Sequence, residues 1–146
     1  MAFAIVDAEN DENWHWFLQQ LKKVVGANRI LTFVSDRQKG LLEAVPAVFP
    51  NSHHAFCLNH LKANLRDKLA GVPSDVKHNV VKLFSKCAYA PTAAFFQQSM
   101  EKLQRFGGNR LQEWLDGLPP TNWANAFFRG RRYGEMTSNA AESFNN

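Results

Sequence analysis

The sequence predicts an α/β fold that carries an all-helical insertion. Short apolar, β-branched segments alternate with amphipathic helices over the first 57 residues, which is typical of a parallel sheet with helical crossovers. From about Leu58 to Phe128 the apolar residues recur only at helical spacing. The chain has 146 residues, of which 45% are hydrophobic, so one domain of this size can bury a core.

The first strand and the first helix are predicted from a change in the spacing of the apolar residues. Residues 3–6 are apolar and partly β-branched, which favours a strand. A helix should follow, with Asn10 as its cap, acidic residues in its first turn and Gly26 as its stop. Its apolar face comprises Trp14, Phe17, Leu18, Leu21, Val24 and Val25.

Two further strands and a second helix complete the first half. Residues 29–34 and 53–57 have the composition of strands. The helix between them is marked by Leu41, Leu42, Val45, Val48 and Phe49. Pro46 lies inside it and has no N–H to donate, so we expect a kink or a helix in two pieces.

Four helices are predicted in the second half, each from one apolar stripe. The first three stripes are Leu58, Leu61, Leu65 and Leu69; Val76, Val80, Leu83, Phe84 and Cys87; and Phe95, Phe96, Met100 and Leu103. Leu111, Trp114, Leu115 and Leu118 give a shorter fourth helix, which should end before Pro119 and Pro120.

Asp36 lies two residues after the apolar end of the second predicted strand. In open α/β sheets, ligand-binding and catalytic groups gather at the carboxyl ends of parallel strands. Aspartate is also a favoured helix cap, and the helix that follows needs one. From the residues alone the cap is favoured, and both interpretations stay open.

Cys57 and His60 form a C-x-x-H pair at a predicted strand-to-helix junction. A thiolate and an imidazole at this spacing can share Zn²⁺, but structural zinc takes four such ligands and no second pair is present. The favoured alternative is that Cys57 is a buried strand residue and His60 makes a structural hydrogen bond. Cys57 and Cys87 are the only cysteines and no signal sequence is evident, so we expect a reducing, intracellular environment.

The last twenty residues contain a cluster of basic residues and a capping pattern. Arg129, Arg131 and Arg132 adjoin Tyr133, which suits phosphate contact and base stacking, although a solvated charged loop is the commoner meaning. The formal net charge of +4 is compatible with an anionic partner. Glu142 lies three residues after Asn139, as in a capping box, so a purely structural explanation of Glu142 is available.

In combination and in order, these segments resemble a known family. "AFAIVDAENDENWHWFLQQL", "LTFVSDRQKGLLEAVPAVFPNSHHAFCLNHLKANL", "WANAFF" and "MTSNAAESFNN" are similar to the core of Mutator-like element (MULE) transposases of plants. The same family includes domesticated proteins of the far-red-impaired-response type, which act as transcription factors. The resemblance covers nearly the whole chain.

The resemblance implies a partial RNase H-like fold with three acidic residues that bind two Mg²⁺ or Mn²⁺ ions. Asp36 matches the second acidic position, and Glu142 is the best match for the third, while Cys57 and His60 match the family's C-x-x-H. The implied arrangement is a core over residues 1–60, a helical insertion over 61–133, and the start of the third acidic residue's helix over 134–146. The family's first aspartate has no match here.

The resemblance also implies an activity, partners and a location. In the complete protein it implies DNA cleavage and strand transfer at transposon ends, in the nucleus, with self-association as a further expectation and no membrane partner. The alternative is a domesticated or remnant module that binds DNA or regulates transcription without catalysis. We expect this chain to be an excerpt of a longer protein and to be inactive alone.

Overall fold

The computed structural model describes residues 4–26 and 28–143, except for the side chain of Glu142. Helices predominate, and the two described strands form a small parallel sheet. The elements are α1 (Asp11–Val25), β1 (Thr32–Ser35), α2 (Lys39–Val48), β2 (His53–Phe56), α3 (Leu58–Lys68), α4 (Ser74–Ala88), α5 (Ala93–Asp116), a 3₁₀ helix (Pro120–Asn122) and α6 (Asn139–Glu142).

Helix α1 confirms the prediction made from its caps. The side chain of Asn10 accepts a hydrogen bond from the amide of Asn13, at 2.9 Å, and Gly26 ends the helix with a φ of 93°. That φ lies in the left-handed region, which glycine adopts without steric cost. Lys22 then donates to the carbonyl of Val48, at 2.6 Å, and thereby ties α1 to the end of α2.

The sheet consists of two parallel strands joined by α2, as the sequence predicted. Thr32 pairs with His53 and Ser35 with Phe56, so the two strands end side by side. Because side chains alternate along a strand, Thr32, Val34 and His53 face one side of the sheet. Phe33 faces the other side and packs against Phe49 at the end of α2, with ring centroids 5.0 Å apart.

One prediction for the first half is wrong, and one of the two alternatives for α2 is excluded. The predicted strand at 3–6 does not form over its described residues 4–6, where Ile5 is 94% exposed and has no strand beside it; a strand needs a paired neighbour whatever its composition. Residue 3 lies outside the described part. Helix α2 is also one element that includes Pro46, rather than two pieces.

The helical half follows the predicted stripes. The third and fourth predicted helices are both present and meet at Gly108 inside α5, where the backbone departs from helical geometry with φ 62° and ψ −172°. The stripe before Gly108 and the stripe after it therefore belong to a helix with a sharp kink. Glycine tolerates this backbone geometry, which other residues avoid.

The buried apolar residues of the described chain form two clusters. A smaller cluster joins α1 and α2 through Leu18, Leu41, Ala44, Val45, Val48 and Phe49. A larger cluster fills the helical half and includes Phe56 and Leu58 at the end of the sheet, as well as Met136. At its centre Trp123 stacks on Phe84, with ring centroids 4.5 Å apart. No helix of the described part is long and apolar enough to cross a membrane.

Candidate functional site

The carboxyl end of the sheet brings together residues that the sequence analysis selected separately. The parallel register aligns Ser35 with Phe56, so Asp36 and Cys57 leave the sheet side by side. The amide of Cys57 donates to the carbonyl of Ser35, at 2.6 Å, and continues the ladder by one step. We call this edge, from Ser35 to Asp36 and from Phe56 to Cys57, the sheet rim.

The segment that leads into α6 returns to the same rim. The amide of Leu58 donates to the carbonyl of Met136, at 2.8 Å, and the amide of Ser138 donates to the sulfur of Cys57, at 3.4 Å. The side chains of Asn59 and Asn139 are joined by a hydrogen bond of 2.9 Å. About 80 residues of sequence separate the partners in each of these contacts, so they are tertiary contacts that fix where α6 begins.

Asp36 does not cap α2. The side chain of Gln38 is the cap, because it accepts from the amide of Leu41 at 3.1 Å. Asp36 instead accepts from the amide of Gln38, at 3.1 Å, and so orders the turn between β1 and the cap. This Asx-type turn uses one carboxylate oxygen and holds the half-buried side chain at the rim.

His54 is a neighbour of Asp36 that the sequence analysis did not select. Its Nε2 lies 2.7 Å from the hydroxyl of Ser35, and that hydroxyl also donates to the carbonyl of Asp36, at 2.8 Å. Burial lowers the pKa of His54 below its usual value, although the charge of Asp36 opposes the shift. The contact between Ser35 and His54 could not be predicted from a local sequence pattern, because it depends on the register of two strands.

Cys57 and His60 contact each other, as their spacing allows. Burial alone would raise the pKa of the Cys57 thiol, but hydrogen bonds with Ser138 and with the backbone and ring of His60 outweigh burial, so the pKa is lowered. Cys57 is fully buried at the rim. Through the hydrogen bond from Ser138, Cys57 holds the segment before α6 against the sheet.

Glu142 lies at the end of α6, and the structure describes only its backbone. Asn139 is not the cap that the sequence suggested: α6 starts at Asn139 rather than after it, and the cap position is Ser138, which makes no side-chain capping bond. The side chain of Asn139 is instead bonded to Asn59. The structure therefore brings the backbone of α6 to the rim that holds Asp36, and the relation of the two carboxylates remains a prediction.

The described residues do not form a metal site by themselves. No group of three His, Cys, Asp or Glu side chains converges in the part of the chain that the structure describes. Asp36 is the described carboxylate at the rim, and one of its oxygens is used by the turn. A hard divalent ion takes six or more oxygen ligands, and structural zinc takes four nitrogen or sulfur ligands.

The three arginines of the tail separate into two environments. Arg132 is 8% exposed, its guanidinium donates to the carbonyl of Trp123 at 3.2 Å and to the side chain of Asn125, and it lies 4.4 Å from the ring centroid of Phe128. This burial corrects the predicted DNA contact of Arg132, because the guanidinium is used inside the protein.

Arg129 and Arg131 are exposed and border a groove of about 820 Å³. The groove lies on the face of the sheet that carries Thr32 and Val34, and the start of α6 borders it. Gly130 lets the tail cross this face closely, since a Cβ there would lie 2.7 Å from the Cβ of His53. Arg29 also borders the groove, although it is far away in sequence and was not selected from it.

Comparison with known proteins gives one family match and several relatives. Residues 1–64 match the family model of the MULE transposase domain. The Arabidopsis thaliana protein FAR1-RELATED SEQUENCE 6 is 37% identical over 127 residues, which cover 83% of this chain and 17% of that protein. FAR1-RELATED SEQUENCE 7 is 26% identical over 134 residues, covering 90% of this chain and 17% of the relative.

A third Arabidopsis relative, FAR-RED IMPAIRED RESPONSE 1, is 26% identical over 150 residues, which cover 97% of this chain and 18% of the relative. The chain thus spans about a sixth of the length of these relatives. The match includes the whole sheet rim with Asp36, Cys57 and His60, since all three lie within residues 1–64.

Proposed function

We propose that this chain is part of a DNA-processing domain, because residues 1–64 match the MULE transposase domain and the chain is similar to FAR1 proteins. In the complete protein this domain cleaves phosphodiester bonds at transposon ends and transfers the strand. Asp36 and Glu142 are the two acidic residues that this segment contributes. The proposed fold of the complete domain is RNase H-like, and the proposed location is the nucleus.

One observation carries the proposal: α6 begins at the rim that holds Asp36. Hydrogen bonds to Cys57, Leu58 and Asn59 fix the segment before α6 at the carboxyl end of β2, beside the end of β1. Residues that are 106 positions apart are thereby carried on elements that meet at one sheet edge. This is where open α/β folds assemble their active sites.

The residues of this chain supply position and charge in the proposed reaction. The turn at Gln38 and the Ser35–His54 contact hold Asp36 at the end of a rigid strand. The Cys57–Ser138 contact sets the start of the helix that carries Glu142. A pair of bound divalent ions would supply an activated nucleophile and stabilise the leaving oxygen.

The test is DNA cleavage by the complete parent protein with single charge-neutralising substitutions. Asp36→Asn and Glu142→Gln should each lower Mg²⁺- or Mn²⁺-dependent cleavage of transposon-end DNA by at least about 100-fold, since the charge that holds the ions is lost. Asp67→Asn and Glu101→Gln are matched controls on exposed faces of α3 and α5. Cleavage that survives both rim substitutions would refute the proposal.

The second candidate is a domesticated module that regulates transcription without catalysis. The similarity to FAR1-related proteins along 83–97% of this chain favours it. A parent protein that binds DNA but shows no metal-dependent cleavage in the same assay would select this candidate.

A further inference from the structure

The groove beside the sheet has the features of a site for an anionic polymer. Arg29, Arg129 and Arg131 border it with exposed side chains, and Glu135 is the acidic residue among the described residues that border it. Within the described part of the chain, the ion pairs involve Lys39 alone, so no described carboxylate lies within ion-pair distance of these three arginines. Three exposed guanidinium groups without a direct ion pair on one groove suit phosphate oxygens.

Tyr133 adds an aromatic surface at the border of the same groove. Its side chain is 87% exposed, and its φ is 51°, in the left-handed region. Gly134 follows with a φ of 87°, and the amide of Glu135 donates to the carbonyl of Arg132 at 2.9 Å. These values describe a tight turn with two left-handed residues, in which Asn-Gly is the usual pair.

Because the ring of Tyr133 is exposed, packing against the rest of the protein does not explain why this turn contains a tyrosine. A bulky residue with positive φ is uncommon, and strained backbone positions are concentrated at functional sites. The flanking contacts explain why the turn holds its shape, because Arg132 is anchored in the core on one side and Met136 on the other. The ring is therefore presented to solvent by a rigid support.

From these observations we propose that the groove binds single-stranded DNA, with an unpaired base stacked on Tyr133 and the backbone phosphates on Arg29, Arg129 and Arg131. Basic grooves with exposed aromatic rings are the general design of single-strand binding sites, whereas a duplex keeps its base faces covered.

The position of the groove connects this inference to the proposed function, on which it rests. Val34 borders the groove two residues before Asp36, and Ala141 borders it one residue before Glu142. A strand held in the groove would thus run toward the sheet rim. In a DNA-cleaving domain, the groove would hold the strand that is unpaired next to the cleavage point.

The test measures binding of a fluorescein-labelled twelve-residue oligothymidine by anisotropy, in EDTA, with this chain and with the complete parent protein. Tyr133→Asn removes the ring but suits the left-handed turn, so it separates stacking from folding. It should weaken binding about 5- to 100-fold, the usual effect of losing one stacked base. Tyr133→Phe should bind like the unchanged protein, and Tyr89→Asn, at the other tyrosine, is the matched control.

The salt dependence tests the phosphate contacts independently. Arg131→Gln should reduce the slope of log affinity against log salt by about 0.7, the value for one single-strand phosphate contact. Unchanged binding by Tyr133→Asn, or tighter binding of a twelve-base-pair duplex than of the single strand, would overturn the inference. Because the assay contains no divalent ion, loss of cleavage in Asp36→Asn and loss of binding in Tyr133→Asn are separate results, and either can fail alone.

Discussion

At the scale of single residues, Asp36 combines a turn-forming carboxylate with a position at the sheet rim. Asparagine can accept the same hydrogen bond from Gln38, so Asp36→Asn should change the free energy of unfolding by less than about 0.5 kcal/mol. Asp36→Ala should cost about 0.5–1.5 kcal/mol, because the amide loses its partner. Urea denaturation of both variants measures this difference, and equal losses would contradict the Asx-type turn.

Arg132 is a second residue whose neighbours decide its part in the protein. Arg132→Ala would leave the carbonyl of Trp123 and the side chain of Asn125 without their donor, so we expect a loss of about 2–3 kcal/mol. The adjacent Arg131→Ala, at an exposed position, should stay within about 0.5 kcal/mol of the unchanged chain. Chemical denaturation of the pair checks this, and similar losses for both would place Arg132 at the surface.

His54 should make stability depend on pH. Burial lowers its folded pKa, so between that value and the ordinary value of 6.5 the unfolded chain binds the proton more readily. The contribution of His54 to the free energy of unfolding is therefore fully present above about pH 6.5. It is lost as the pH drops, so the free energy of unfolding falls by at most about 1.4 kcal/mol per pH unit. His54→Gln should remove this slope in denaturation curves from pH 8 to 5, and His78→Gln, an exposed histidine on α4, is the control. If the pH dependence persists in His54→Gln, another titrating group causes it.

At the scale of elements, the kink of α5 depends on one glycine. Gly108 has φ 62° and ψ −172°, a conformation almost confined to glycine, so Gly108→Ala should destabilise the chain by about 1–3 kcal/mol. Gly117→Ala is the control, since Gly117 has a φ of −83° and a Cβ there would meet its nearest neighbour at 3.7 Å. Thermal unfolding of the two variants compares them, and an equal melting temperature would show that the kink is not required.

The elements also show which parts of the fold the sequence could predict. Helix α1 was predicted with both its ends because Asn10 and Gly26 act within one turn of the backbone. The strand expected at 3–6 did not form over 4–6, because strand formation depends on a neighbour and not on composition. The two parts of α5 were predicted as separate helices from their separate apolar stripes, and the backbone does leave helical geometry between them, at Gly108.

The residues of the candidate site also divide into those that the sequence could identify and those that it could not. Asp36, Cys57 and His60 were selected from the sequence because strand ends and C-x-x-H spacing are local signals. Arg29 and His54 were missed because their neighbours come from other elements. The burial of Arg132 was missed for a related reason, since a guanidinium enters a core only where carbonyl partners happen to face it.

At the scale of the whole molecule, the two apolar clusters should differ in stability. The larger has 19 buried residues and the smaller has six, so the α1–α2 region buries less apolar surface and should open at lower free energy. In native-state hydrogen exchange, amides of α1 and α2 should exchange before those of α3 and α4. The sheet lies between the clusters, with Phe33 packed against the smaller and Phe56 within the larger.

Paired core substitutions test whether the clusters unfold separately. Leu18 and Leu65 are 2% and 0% exposed, and truncating either to alanine should cost its own cluster about 2–5 kcal/mol. Leu18→Ala should speed exchange in α1 and α2 and leave α4 protected, while Leu65→Ala should lower protection in α3 and α4. Equal loss of protection in all four helices after Leu18→Ala would show one cooperative unit. In that case the rim between the clusters could not keep its geometry while α1 and α2 open, and Asp36 would depend on the smaller cluster as much as on the larger.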